Sequence, residues 1–344
     1  MRKLASIQRV VSVEPIEGAD SIEKIQILGW NLVSRKNEFK VGELCVFFEV
    51  DSLLPDRPEF EFLRDKKFRI KTIRLRGQIS QGIAFPTSIL PEGTPIEEEL
   101  DVTEILGVEK WEAPEYNPMS SGLGKSQKLK DFPSFIPKTD ETRIQAVPSV
   151  LKDSVGMKCY VTEKNEGSSI TCYLKDGEFF VCSRTVTKKD LDTCHFWKAA
   201  RNEQVEERMR AWAAKHPEMP NLAIQGELIG PGVQGNIYKL EDYAIRVFNV
   251  FDIDKHRFLD FVDFKRVCGE LGFTTVPILD EDFVIDETTT VQSLVELATR
   301  KSVLNDKTWA EGIVVRPHVE TTHRKLGRFS FKVINQMYLL SNDK

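Results

Sequence analysis

The chain has 344 residues, of which 41% are hydrophobic and 29% are charged, and its net charge is −5. This length predicts two domains, and the negative charge excludes a protein that binds nucleic acid through a uniformly basic surface. The six cysteines lack the paired spacing of a zinc site, and no apolar run approaches membrane-spanning length, so we expect a soluble intracellular protein of undetermined compartment.

Short β-type runs separated by turn residues occupy the first hundred residues. Glycines at 18, 42, 77 and 82 interrupt them. This spacing predicts a small five-stranded β-barrel of the OB type over residues 1–106. The predicted strands are 4–13, 25–28, 44–50, 70–75 and 82–85.

Basic residues are concentrated in one segment of this predicted barrel. Hydrophobic residues alternate with them, a pattern that favours contact with the phosphates of RNA. An amphipathic strand with a basic solvent face explains the segment equally well. The basic residues are Lys66, Lys67, Arg69, Lys71, Arg74 and Arg76.

Prolines and glycines recur over residues 107–137, which predicts a linker or an extended edge before a second domain at 138–344. Helix and strand patterns alternate in that second domain, which makes the chain α+β. Helices are predicted from 138 to just before Pro148 and at 191–215, 258–271 and 290–300. Strands are predicted at 158–163, 171–174, 178–183, 222–229, 243–253, 311–317 and 329–334.

Lys164 stands where the predicted strand 158–163 enters a polar turn. A lysine amine in such a fixed position becomes a nucleophile when its pKa is lowered enough to leave the amine neutral. Glu166, two residues further on, would share its face and could hold a metal ion. For an isolated pair of this kind, a solvated Lys/Glu pair at a hairpin is the better interpretation.

The motifs further along the chain favour a functional interpretation of Lys164 and Glu166. Lys164-Asn-Glu166-Gly167 resembles the first motif, Lys-x-Asp-Gly, of the covalent nucleotidyltransferases, the superfamily of polynucleotide ligases and mRNA capping enzymes. The segments around Glu163, 232–238 and 331–335 resemble those of ATP-dependent RNA ligases. An OB-like domain in front of the catalytic domain resembles the small RNA ligase family represented in Deinococcus and Naegleria. The later motifs follow in the superfamily's order as Ser183-Arg184, Glu227, Val250-Phe251-Asp252-Ile253, Glu311-Gly312 and Ser330-Phe331-Lys332.

This resemblance implies an α+β fold with an OB-like barrel, followed by a nucleotidyltransferase domain of ATP-grasp-like antiparallel sheets plus helices. It implies a monomeric, ATP-dependent RNA ligase that seals 3′-hydroxyl and 5′-phosphate ends, such as nicks in duplexes, through a lysyl-AMP. Lys164 would be the nucleophile, assisted by Lys332, and Glu166 and Glu311 would hold Mg²⁺ or Mn²⁺. The implied nucleotide contacts are Glu163, Arg184, Glu227, Phe251 and Lys332.

Two residues depart from the family pattern. Glu166 replaces the usual aspartate, and Ser330 replaces the first lysine of the fifth motif. The resemblance then implies that the α-phosphate has one fewer side-chain cation, or one that Arg328 or Lys325 supplies instead. Two alternatives within the same chemistry are a DNA ligase and a GTP-dependent capping enzyme. A third alternative is an RNA-binding protein whose OB-like domain is active and whose second domain is inert.

Overall fold

The computed structural model describes residues 2–111 and 127–342. Part of the predicted linker, residues 112–126, therefore lies outside the described residues. In the N-terminal part the strands are β1 (Ala5–Pro15), β2 (Ile22–Ile27), β3 (Trp30–Arg35), β4 (Leu44–Phe48), β5 (Ser52–Leu53), β6 (Thr72–Leu75), β7 (Gln78–Gln81), β8 (Ile83–Pro86) and β9 (Glu109–Lys110), with 3₁₀ helices at Pro58–Lys66 and Thr87–Ile89.

The N-terminal strands form an antiparallel five-stranded sheet in the order β3-β2-β1-β4-β8. Its apolar face packs a hydrophobic cluster drawn wholly from residues between Leu4 and Val108. The predicted strand 70–75 forms a separate hairpin, β6–β7, because Arg76 and Gly77 both adopt positive φ and close a tight two-residue turn. Strand β3 was missed by the sequence prediction.

The remaining strands are β10 (Lys128–Asp131), β11 (Thr142–Arg143), β12 (Lys158–Lys164), β13 (Ser168–Lys175), β14 (Glu178–Cys182), β15 (Val186–Lys188), β16 (Leu222–Ile229), β17 (Ala244–Asp252), β18 (Arg257–Phe258), β19 (Ile278–Val284), β20 (Gly312–Pro317), β21 (Thr322–His323), β22 (Gly327–Arg328) and β23 (Phe331–Ile334). The helices are a 3₁₀ turn at Ile144–Ala146, α1 (Ser149–Asp153), α2 (His195–Asn202), α3 (Val205–Lys215), α4 (Phe261–Leu271), α5 (Val291–Ala298) and α6 (Gln336–Asn342).

Two larger sheets dominate this part of the chain. One has seven strands in the order β10-β15-β14-β13-β16-β17-β18, and the other has five in the order β11-β23-β20-β12-β19. Helices α2 to α4 cover the first sheet over one hydrophobic cluster, and α1 and α5 cover the second over another. The opposite faces of the two sheets border a common cavity.

The α+β class is confirmed, but two predicted helices are wrong. Residues 142–143 form a strand that pairs in parallel with β23, so pairing with the sheet overrides the helix expected before Pro148. The helix predicted over 191–215 is two helices, because Gln204 adopts a φ of 50° between them. No helix in the described part of the chain has the length and apolar character needed to cross a membrane.

Candidate active site

A cavity of about 1100 Å³ opens between the inner faces of the two larger sheets. The antiparallel register of β12 and β20 pairs Lys164 with Gly312 and Thr162 with Val314, so the side chains of Thr162, Lys164 and Val314 share the face that borders the cavity. A side chain at Gly312 would have its Cβ 2.1 Å from the carbonyl oxygen of Val333, so only glycine fits there. The lining includes Thr162, Lys164, Glu227, Phe248, Val314, Arg316 and Lys332.

Lys164 and Glu311 meet at the ends of neighbouring strands. The lysine Nζ lies 2.6 Å from a carboxylate oxygen of Glu311. Burial by itself would lower the pKa of Lys164, but the carboxylates of Glu311 and Glu227 outweigh burial and raise it above its ordinary value. The amine is therefore held as an ammonium and must lose a proton before it can act as a nucleophile.

Glu227 projects from β16 beside this pair. Burial raises the pKa of Glu227 to about 8, with Lys164 opposing the shift and Glu311 adding to it. The turn that carries Gly167 lies directly against β16, since a Cβ on Gly167 would come within 2.3 Å of the carbonyl oxygen of Leu228. This glycine allows the strand end with Lys164 to approach Glu227.

Lys332 enters the cavity from β23, where it pairs with Val314. Burial, followed by the charges of Lys164 and Arg143, lowers the pKa of Lys332 to about 8. The site thus contains two lysines with opposite pKa shifts. Lys164 is held charged, whereas Lys332 loses its proton at about pH 8.

Glu166 lies beyond Lys164, where its backbone N–H donates to the Tyr238 hydroxyl at 2.6 Å. Burial and the neighbouring Glu311 raise the pKa of Glu166, and hydrogen bonding to Tyr338 opposes this. Its Oε2 is buried and has no hydrogen-bond partner among the described residues.

Glu166 and Glu311 are the predicted ligands of a metal ion. In residues 2–111 and 127–342, no group of three or more His, Cys, Asp or Glu side chains is placed to hold a metal ion. Mg²⁺ and Mn²⁺ at phosphate sites commonly take only one or two protein carboxylates, with phosphate and water supplying the rest. Adjacent Glu166 and Glu311, with one unpartnered oxygen, fit such a site.

Two predicted nucleotide contacts have other partners. Arg184 borders the cavity, but its side chain is exposed and lies 2.9 Å from Asp140. The carboxylate of Glu163 is buried and accepts hydrogen bonds from Ser302 Oγ at 2.5 Å and from the backbone N–H of Val303 at 2.8 Å. Glu163 therefore borders the cavity with its carboxylate already engaged.

The structure does not place Phe251, the predicted base platform, at the cavity. Phe251 is only 1% exposed and packs against Phe258 in a hydrophobic cluster that includes Ile136. Phe248 lines the cavity instead. A register shift between β16 and β17 makes Phe248 the extra residue of a β-bulge, which the sequence pattern does not reveal.

The basic segment is only partly available to nucleic acid. Arg69 is buried, forms a 3.1 Å ion pair with Asp51, and stacks on Trp111 at 3.3 Å. Asp51 also accepts from Arg143 at 2.9 Å, which ties the N-terminal part to β11. Lys66, Lys67, Arg74 and Arg76 are exposed, and Lys71 is half-buried.

Arg328 and Lys325, the two predicted substitutes for the missing lysine at position 330, have other partners. Arg328 is paired with Glu320 and donates to Asn249 at 3.1 Å, and Lys325 lies 3.3 Å from Glu99. The cation near Ser330 is Arg316, which sequence reasoning missed although it interrupts an apolar strand. Its Nη2 donates to Glu141, another missed residue, at 2.6 Å.

Comparison with known proteins gives consistent matches. Residues 157–334 match the RNA ligase family model, and residues 4–87 match an OB-fold domain. No curated protein matches the chain. A Naegleria gruberi RNA ligase lysine-to-alanine mutant with ATP and Mn is 34% identical, with a TM-score of 0.87 over 99% of each chain.

The same Naegleria gruberi enzyme resembles the chain in other complexes. A glutamate-to-alanine mutant with AMP and Mn also has 34% identity and a TM-score of 0.87 over 99% of each chain. The complex with PPi has 35% identity and a TM-score of 0.86, covering 100% of this chain and 99% of that chain. The similarity therefore spans both the N-terminal sheet and the two sheets around the cavity.

Proposed function

This chain belongs to the RNA ligase family, and we propose on that basis that it uses ATP to join 3′-hydroxyl and 5′-phosphate RNA ends through a lysyl-AMP on Lys164. The similarity to structures containing ATP, AMP, PPi and Mn supports the use of ATP and a divalent cation. The observation that carries the proposal is one cavity bordered by Lys164, Glu227 and Lys332, with Glu311 in contact with the lysine amine.

In the first step, Lys164 Nζ would form a bond to the α-phosphorus of ATP while the bond to pyrophosphate breaks. The attacking amine must first lose its proton. A protonated Lys332 would favour that loss, because two neighbouring ammonium groups repel each other. A divalent cation bound by Glu166 and Glu311 would neutralise phosphate charge.

Other residues of the cavity would hold the nucleotide. Phe248 from one sheet and Val314 from the other border the cavity and suit the two faces of a purine ring. Glu227 and Arg184 suit the ribose hydroxyls. Because the pKa of Glu227 is about 8, its carboxyl group is largely protonated at neutral pH and can donate as well as accept.

In the second step, AMP would pass from Lys164 to the 5′-phosphate of RNA, and in the third a 3′-hydroxyl would attack that phosphate and release AMP. The exposed part of the basic segment, Lys66, Lys67, Arg74 and Arg76, with Lys71 beside it, suits contacts to the RNA backbone. Arg69 is left out because Asp51 already engages its charge.

The proposed domains are 1–106 and 138–344, joined by 107–137. Separate hydrophobic clusters support two domains, since the N-terminal cluster shares no residue with those of the two larger sheets. Within the joining segment, β9 pairs with β5 of the N-terminal part, and β10 pairs with β15 of the seven-stranded sheet.

The test is covalent labelling with α-labelled ATP and Mg²⁺ or Mn²⁺, with GTP in parallel. We expect label from ATP that Lys164→Ala abolishes and that Lys158→Ala, an exposed lysine at the start of the same strand, leaves unchanged. If the Lys164→Ala protein retains the label, Lys164 is not the nucleophile. RNA binding without any label would instead favour the RNA-binding alternative.

Sealing assays then identify the nucleic acid. Nicks whose 3′-hydroxyl strand ends in ribose should be sealed faster than all-DNA nicks. Equal sealing of both would favour a DNA ligase, and label from GTP alone would favour a capping enzyme.

A further inference from the structure

Arg316 is a buried cation at the wall of the cavity. Its side chain is 2% exposed, and it borders the cavity. One nitrogen, Nη2, donates to Glu141, but Nε and Nη1 have no hydrogen-bond partner among the described residues. The Tyr160 hydroxyl also lies close enough to the guanidinium to interact with it. Buried N–H groups of this kind are costly unless an acceptor reaches them.

The strand register gives the distance of Arg316 from the nucleophile. Lys164 pairs with Gly312 and Tyr160 pairs with Arg316, so the two pairs are four residues apart, about 13 Å at about 3.3 Å for each residue. This is roughly the length of an adenylate from its phosphorus to the outer edge of its purine. Phosphate oxygens bonded near Lys164 would therefore lie too far away to satisfy Arg316.

The surroundings of Arg316 also point to a base. Its guanidinium carbon lies 5.5 Å from the ring centre of Phe248, the aromatic residue that borders the cavity. Val314, the neighbouring cavity residue on the same strand, lies between Arg316 and the position of Lys164. A purine placed between Phe248 and Val314 would present its edge to Arg316.

The serine at position 330 belongs to the same arrangement. Strand β20 pairs Val314 with Lys332, and this register, continued by two residues beyond Val314, sets Arg316 opposite Ser330. Glu141 Oε1 accepts hydrogen bonds from Nη2 of Arg316 at 2.6 Å and from the Ser330 hydroxyl at 3.5 Å. The short serine leaves room for the arginine, and Glu141 fixes its direction.

We propose that Arg316 donates hydrogen bonds to an acceptor nitrogen of the adenine ring and so takes part in recognition of the base, and that Glu141 is its positioning residue. The inference rests on the proposed use of ATP. An arginine offers only donors, so it favours a purine edge that presents ring nitrogens as acceptors. The competing interpretation is a buried Arg–Glu pair with a purely structural role.

The experiment measures adenylation of Lys164 with ATP and with 1-deaza-, 3-deaza- and 7-deaza-ATP, each lacking one ring nitrogen. For the unaltered protein, we expect one analogue to show about a tenfold or greater loss of kcat/KM, carried by KM, because one charge-assisted hydrogen bond is lost. Arg316→Lys should raise the KM for ATP by a similar factor and remove the preference for ATP over that analogue. Arg64→Lys, at an exposed arginine paired with Asp56 and Glu61, is the matched control and should change neither value.

Several outcomes overturn the inference. If the unaltered protein uses all three analogues as well as ATP, no ring nitrogen is read, whether or not Arg316→Lys folds. If the folded Arg316→Lys protein keeps the analogue preference, the arginine is structural. Glu141→Gln provides a second variant that leaves the arginine in place, and it should weaken the preference with kcat little changed; an unaltered preference counts against the positioning role. No label from any triphosphate refutes the proposed function itself and this inference with it.

Discussion

The Lys164 ammonium lies 2.6 Å from a carboxylate oxygen of Glu311, so the residue with the features of a nucleophile is paired with one of the two carboxylates suited to a metal ion. In the protein without ligands this contact holds the amine charged. A metal ion that binds Glu311 would therefore compete with the Lys164 ammonium for this carboxylate and make the amine easier to deprotonate.

The first prediction concerns this pair. Because Glu311 raises the pKa of Lys164, Glu311→Gln should lower that pKa and increase the neutral amine at a given pH. Acylation of Lys164 by an amine-selective reagent, followed by mass spectrometry between pH 7 and 11, measures this without nucleotide or metal. We expect the midpoint to move to lower pH. Glu287→Gln, at an exposed distant carboxylate, is the control, and equal midpoints in the two variants would show that Glu311 does not hold the proton on Lys164.

The second prediction concerns Lys332. Its pKa is lowered to about 8, so its charge is present below this pH and lost above it. If that charge stabilises the reacting phosphate, kcat/KM for adenylation should fall on the alkaline side of about pH 8, because this ratio reports groups of the free enzyme. Lys332→Arg keeps its charge at all these pH values and should remove that fall. An unchanged alkaline limb in Lys332→Arg would assign it to another group.

The third prediction is a pH dependence of stability from Glu227. Its folded-state pKa is raised from 4.5 to about 8, so the folded protein binds a proton more tightly than the unfolded chain. The associated stability is complete below about pH 4.5 and is lost as the pH rises to about 8. Glu227→Gln, which cannot ionise, should therefore gain stability relative to the unaltered protein across this range, by up to a few kcal/mol at about 1.4 kcal/mol per pKa unit. Chemical denaturation at pH 5 and pH 8.5 measures it, and a constant difference at both values would contradict the raised pKa.

The fourth prediction separates two aromatic residues. Phe248 borders the cavity, so Phe248→Ala should raise the KM for ATP with little effect on the melting temperature. Phe251 is buried in a hydrophobic cluster, so Phe251→Ala should cost about 3–5 kcal/mol of stability, the usual result of a large cavity in a core. The KM for ATP of any folded Phe251→Ala protein should change little. The opposite pattern would restore Phe251 as the base platform.

The fifth prediction divides the basic segment. The double variant Arg74→Ala and Arg76→Ala should weaken RNA binding and reduce its salt dependence by about one unit for each lost phosphate contact, without a change in melting temperature. Arg69→Ala should instead lower the melting temperature, because Arg69 pairs with Asp51 and stacks on Trp111. Binding measured by fluorescence anisotropy at several salt concentrations tests both. Unchanged affinity in the double variant would remove this surface from the RNA-binding site.

The sequence was sufficient for the features that depend on local pattern. Strand β16 was predicted at the bounds the structure has, and the predicted strands 171–174 and 178–183 correspond to β13 and β14, which pair with each other. The order of the motifs also placed Lys164, Glu227, Glu311 and Lys332 together before any geometry was known. Their roles in catalysis remain predictions.

Tertiary structure decided the features that depend on a partner from elsewhere in the chain. A bulge opposite β16 places Phe248 and not Phe251 at the cavity. Asp51 holds Arg69 in the interior, although Lys66, Lys67, Arg74 and Arg76 of the same basic segment are exposed. Arg316 is recognisable only from the structure, in which Glu141 accepts hydrogen bonds from both Arg316 and Ser330. The alternation of residue types along one strand indicates which side chains share a face. It does not indicate which distant segment of the chain packs against that face, because that contact depends on the tertiary structure.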